Sequence, residues 1–65
     1  MIIIQDGVWK SECIAAIDME DCYVHIFPLN CANAVPYAFD TKDETVKAYK
    51  QAVQQWKFEL GLTEN

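Results

Sequence analysis

Only one segment of this chain repeats with a helical period, and that limits what the rest can be. Val46, Tyr49, Val53, Trp56 and Leu60 follow one another at spacings of three, four, three and four, which lines up one face of an α-helix. Thr41, three residues ahead of Glu44, makes a capping box, with Asp43 and Glu44 at the positive end of the helix macrodipole. Gly61 followed by Leu62 supplies the left-handed stop and the apolar residue of a Schellman motif. These signals predict a helix over about 42–60. A lone amphipathic helix has no second helix to bury its stripe against, so it needs a sheet.

The upstream residues supply one. Ile2-Ile3-Ile4 is a β-branched run closed by Asp6-Gly7, a hairpin dipeptide, and Val8-Trp9-Lys10 starts either a return strand or a wider loop. Segments from Cys13 to Met19 and from Cys22 to Leu29 flank an acidic turn at Glu20-Asp21. Pro28 and Pro36 bracket a loop, since proline cannot donate inside a ladder, and Tyr37-Ala38-Phe39 reads as a short last strand. Strands over about 1–39 followed by a helix describe an α+β protein. The expected form is a small antiparallel β-meander of three to four strands, with one C-terminal α-helix packed on one sheet face. A length of 65 residues leaves room for a single domain, 1–65.

A two-residue loop at Glu20-Asp21 would pair Met19 with Cys22 and Asp18 with Tyr23. One face of this hairpin then carries Cys13, Ala15, Ile17, Met19, Cys22, Val24, Ile26 and Pro28. The other carries Ile14, Ala16, Asp18, Tyr23, His25, Phe27 and Leu29. The first set is small and aliphatic, a bed for the helix. The second is also largely apolar, yet a single helix covers only one face. A chain this short buries only about 60% of its extended surface, so a surplus apolar face points to a partner. Tyr23, His25 and Phe27 are therefore expected at the interface of a homodimer or larger assembly. Phe58 falls off the helix stripe, among Lys47, Gln51 and Gln54. With the acidic turn residues Glu20 and Asp21, it is the candidate contact for a second protein, one with a basic surface.

Composition excludes several functions. Acidic residues outnumber basic ones ten to five, for a net charge of −5, and every basic residue is lysine. Direct nucleic-acid binding, which needs clustered lysine and arginine, is not expected. Cys13, Cys22 and Cys31 are nine residues apart, and His25 leaves its strand on the face opposite Cys22. That spacing suits no metal site, so the thiols read as small buried hydrophobes. An odd cysteine count, an N-terminus without a basic signal region and the lack of a long apolar stretch lead to the expectation of a reduced, cytoplasmic protein away from membranes. Asp18, Tyr23 and His25 share a face but have no nucleophile beside them, and Gly7 and Gly61 are the only glycines. No enzyme and no cofactor are expected on these grounds.

Trp9, Tyr23, Phe27, Tyr37 and Phe39 could stack on a base. That leaves a small-molecule or nucleotide-binding protein, with its pocket formed between protomers, as the alternative. In size, acidity and lack of catalytic signatures the chain resembles the small accessory proteins of bacteriophages and mobile elements. Many of those block host machinery by binding it; the resemblance is one of type and implies no residue roles. The leading expectation is a small non-enzymatic protein-interaction module, homo-oligomeric, acting as an inhibitor or adaptor on another protein.

Overall fold

The computed structural model describes residues 1–61. Strands β1 (Ile2–Ile4) and β2 (Gly7–Trp9) form a hairpin, followed by a 3-10 turn at Ser11–Cys13. Strands β3 (Ile14–Glu20), β4 (Tyr23–Pro28) and β5 (Val35–Ala38) form an antiparallel meander, and helix α1 (Lys42–Glu59) closes the fold. The protein is a small α+β fold with its C-terminal helix packed on the three-stranded sheet. β1 and β2 form a separate two-stranded sheet.

Helix α1 starts where its cap predicts. Glu44 N–H donates to Thr41 Oγ1 and Thr41 N–H donates to Glu44 Oε1, each at 3.2 Å. At the far end Gly61 has φ +75° and donates its N–H to the Phe58 carbonyl, one of the two bonds of a Schellman motif. Leu62, the expected apolar partner of that motif, lies outside the described residues. The buried stripe is rotated from the expected one. Thr45 and Ala52 are buried, Ala48, Tyr49 and Trp56 pack beside the core, and Leu60 is exposed. Thr45 enters the core because its hydroxyl donates to the Thr41 carbonyl at 2.8 Å, which removes the cost of burying it. Small residues at 45, 48 and 52 let the helix lie close to the sheet.

The β3–β4 loop consists of Asp21 and Cys22, not Glu20 and Asp21. Glu20 pairs with Tyr23, Met19 with Val24, Asp18 with His25 and Ile17 with Ile26. Asp21 takes the left-handed conformation at φ 53°, which aspartate tolerates better than most residues. Met19 thus pairs two residues beyond the expected Cys22. An even slip leaves each side chain on its expected face, because strand side chains alternate with period two. The exception is a bulge between Ile14 and Ala16. The extra residue, Ala15, reverses the alternation upstream, so Ile14 turns into the core while Cys13 and Ala15 face solvent. The core is Ile2, Ile4, Ile14, Val24, Ile26 and Ala52.

The first hairpin turns at Gln5-Asp6 rather than Asp6-Gly7, since Ile4 pairs with Gly7, Ile3 with Val8 and Ile2 with Trp9. Gly7 is needed for packing instead: a Cβ there would clash with the Tyr37 hydroxyl. That hydroxyl accepts Trp9 Nε1–H at 2.9 Å, and Gln5 Nε2 donates to the Ala38 carbonyl across the same junction. These contacts fasten the hairpin to β5. Pro36 lies inside β5, opposite His25, rather than ending a loop. An edge strand tolerates it because one side of its ladder is free.

Ser11 ties the helix end to the start of β3. Its carbonyl accepts Trp56 Nε1–H at 3.1 Å, and its buried hydroxyl donates to the Glu59 carboxylate. The Met1 ammonium pairs with the same carboxylate, and Gln55 Nε2 donates to it at 2.6 Å. The ammonium first, then Ser11 and Gln55, lower the Glu59 pKa from its ordinary 4.5 to about 2. Folding therefore favours the ionised form.

Two outcomes follow. Gly7→Ala should destabilise the fold by about 1–3 kcal/mol through overpacking against Tyr37, lowering Tm by ~4–8 °C per kcal/mol for a domain of this size. An unchanged melting curve would show that the ring moves aside freely. Stabilisation by Glu59 is complete above its ordinary pKa of 4.5 and is lost as pH falls through about 2. Thermal unfolding followed by circular dichroism should thus weaken more steeply across that window in the parent than in Glu59→Gln. Parallel profiles would remove Glu59 from the acid response.

Candidate interaction surface

Helix α1 and the β1–β2 hairpin both pack on one face of the meander, since Ile2, Ile4 and Ala52 share the core with Val24 and Ile26. The opposite face is built by alternation: Ala16, Asp18 and Glu20 on β3, Tyr23, His25 and Phe27 on β4, and Pro36 and Ala38 on β5. Among the described residues no helix or strand crosses it. Positions 23, 25 and 27 of the central strand place three rings in a row. Tyr23 and His25 stack with centroids 6.1 Å apart and planes 15° apart, and Phe27 follows, tilted, 6.5 Å from His25. The rings shield one another, so Tyr23 remains 47% exposed while His25 and Phe27 are half-buried. The three residues expected at an interface thus form one continuous surface.

Asp18, Tyr23 and His25 share this face as expected, but they do not hydrogen-bond to one another. Asp18 sits opposite His25, but its Oδ1 accepts the Met19 N–H at 2.7 Å. The carboxylate is turned toward the strand edge, while Tyr23 and His25 interact through their rings. Glu20 lies across from Tyr23, and Asp21 is exposed in the adjoining loop. Both outer edges of the sheet are blunted. In the alternating antiparallel pattern, Met19 and Pro36 direct their backbone groups away from β4. Asp18 occupies the Met19 N–H, Pro36 has none, and Gln5 takes up the Ala38 carbonyl. Such devices suppress pairing with an additional strand.

Phe58 is 67% exposed but lies elsewhere. It lines an open groove of about 710 Å³ between β1 and α1, together with Met1, Ile3, Gln51 and Gln54. That groove is at the Ser11 end of β3, whereas Glu20 and Asp21 are at the other end, ~20 Å away along a seven-residue strand. The structure therefore does not combine Phe58 with the acidic turn in one surface. Ile3 and Val8, a cross-strand pair on the outer hairpin face, are 70% and 61% exposed and extend the apolar patch around the groove. Sequence reasoning missed them, although strict alternation within Ile2-Ile3-Ile4 sends Ile3 away from its neighbours. Pro36 and Ala38 were missed for want of the β4–β5 register.

The cysteines do not fill the core. Cys13 and Cys31 are exposed and Cys22 is half-buried in the turn, because the bulge and the displaced loop remove Cys13 and Cys22 from the inward face. Among the described residues, no three His, Cys, Asp or Glu side chains gather as metal ligands would. No helix among them is long and apolar enough to cross a membrane. The aromatic residues considered for base stacking separate: Tyr23 and Phe27 lie on the open face, while Trp9, Tyr37 and Phe39 pack against the core.

Searches against protein families, curated proteins and solved structures found no match to this chain.

Proposed function

We propose that this chain is a non-enzymatic protein-interaction module, acting as an inhibitor or adaptor by occupying a site on another protein. The observation that supports this reading is the row of Tyr23, His25 and Phe27, flanked by Ala16, Pro36 and Ala38 on a face that no other element among the described residues covers. An apolar face of this kind on a small domain is an interaction surface in waiting. Aromatic rings suit that role, since they contribute large contact area with few rotatable bonds. A second copy of this chain, the expected homodimer, is the competing occupant of the same face. A compartment in the cytoplasm belongs to this reading, since all three thiols are free.

The groove beside Phe58 favours a second reading, a small-molecule binder. Its lining is largely apolar, with the glutamine amides and the Met1 ammonium, already paired with Glu59, as its polar groups, so it suits a largely apolar ligand better than the phosphates of a nucleotide.

Phe27→Glu tests the first reading. The variant should keep the helical spectrum and thermal transition of the parent while losing self-association or partner binding, measured by light scattering and by co-purification. Retention of every association with Phe27→Glu would exclude the face. For the second reading, a panel of apolar small molecules should raise Tm in the parent and not in Phe58→Ala, because a ligand that binds only the folded state stabilises it. A panel without any shift would dismiss it.

A further inference from the structure

We propose that the occupant of the open β3–β4–β5 face is a basic surface of another protein, not a second copy of this chain. Its arginine or lysine side chains would lie over the Tyr23–His25–Phe27 row and pair with Asp18 and Glu20. This inference rests on reading that face as the docking surface, and its basis is charge. None of the three strands contains lysine or arginine. Asp18 and Glu20 are both exposed on β3, in the row beside the rings. Of the five lysines, Lys42, Lys47, Lys50 and Lys57 all lie on α1, against the opposite side of the sheet. The open face thus carries carboxylates and no lysine, whereas the helix behind it sets four lysines against three carboxylates, Asp43, Glu44 and Glu59.

Two copies meeting through this face would bring together four carboxylates from Asp18 and Glu20 and no lysine or arginine from the strands. Such like-charge juxtaposition works against association, whereas a basic partner meets complementary charge. The rings point the same way. A guanidinium or ammonium group is attracted to the face of an aromatic ring, and guanidinium also stacks flat upon it. Here two of the three rings stand one strand away from a carboxylate position, Tyr23 opposite Glu20 and His25 opposite Asp18, while Phe27 faces Ala16. A cation seated beside Tyr23 is therefore next to Glu20, and one beside His25 is next to Asp18, whose Oδ1 already accepts the Met19 N–H.

Area and edges complete the description of the partner. Three strands ~4.8 Å apart and up to about six residues long make a face of only roughly 300 Å² in plan, short of the ~800 Å² per partner of a standard interface. The contact must spread over the rim, and the rim at the Tyr23 end is acidic. Asp21 and Asp40 are both exposed there, brought together as Phe39 N–H bonds the Cys22 carbonyl at 2.8 Å. The blunted edges rule against a partner that adds itself as a further strand. It lies across the face.

The test uses the full chain, isotopically labelled, titrated by NMR with a ten-residue peptide alternating arginine and leucine, and with its glutamate–leucine counterpart. Light scattering gives the mass of the parent and of the double variant Asp18→Asn/Glu20→Gln. The expected result is a monomer whose amide shifts with the arginine peptide concentrate in β3, β4 and β5. Affinity should fall about tenfold in the double variant and fall with added salt, as screening requires. Shifts spread instead over the helix carboxylates Asp43 and Glu44, or equal binding of the glutamate peptide, would overturn the charge assignment. A dimer that tightens in the double variant would give the face to a second copy, sinking the basic partner while leaving the docking surface intact. A monomer with no shift on the face from either peptide would remove the docking surface itself.

Discussion

A three-stranded sheet has two faces, and the helix and hairpin among the described residues cover only one. Helix α1 and the β1–β2 hairpin both lie on the side of Val24 and Ile26, and the core is the single layer between them. Hydrophobic burial is what holds so small a fold together, so the most aliphatic side chains are concentrated in that layer. The other face is left with rings, small residues and carboxylates. Its character is a consequence of the one-sided core: Tyr23, His25 and Phe27 alternate with Val24 and Ile26 on the same strand, and the pleat sends the two sets in opposite directions.

That core is closed by a few polar contacts at its ends. Ser11 receives the Trp56 indole on its carbonyl and gives its hydroxyl to Glu59, which joins the last turns of the helix to the entrance of β3. The Met1 ammonium reaches the same carboxylate, so the first strand shares the attachment. At the other side, Gly7 lets Tyr37 approach β2 closely enough for its hydroxyl to accept the Trp9 N–H. These contacts settle how the hairpin and helix sit over the sheet, a placement that non-directional apolar packing would leave loose.

Much of this was legible from residue order. The capping box at Thr41 and Glu44 and the stop at Gly61 act through neighbouring backbone groups, so they mark α1 without reference to the rest of the molecule. The grouping of Tyr23, His25 and Phe27 was legible too, because alternation along a strand is local and survives a register slip of two. What failed was whatever depended on pairing partners. The loop moved from Glu20-Asp21 to Asp21-Cys22, and the bulge at Ala15 exchanged Cys13 for Ile14 in the core. Thr45 was overlooked since its polarity hides it until the Thr41 carbonyl is seen to satisfy its hydroxyl.

The α+β order of elements, the limits of the helix and the row of rings on one strand follow from short-range periodicity and local hydrogen bonding along the chain. Folding alone brings residues of β3 and β5 beside that row, sets Phe58 apart from the acidic turn and blunts the sheet edges. Those features depend on cross-strand register and on contacts such as Gln5 with Ala38. Residues far apart in the chain meet there because the core selects one packing, and no local pattern encodes that choice.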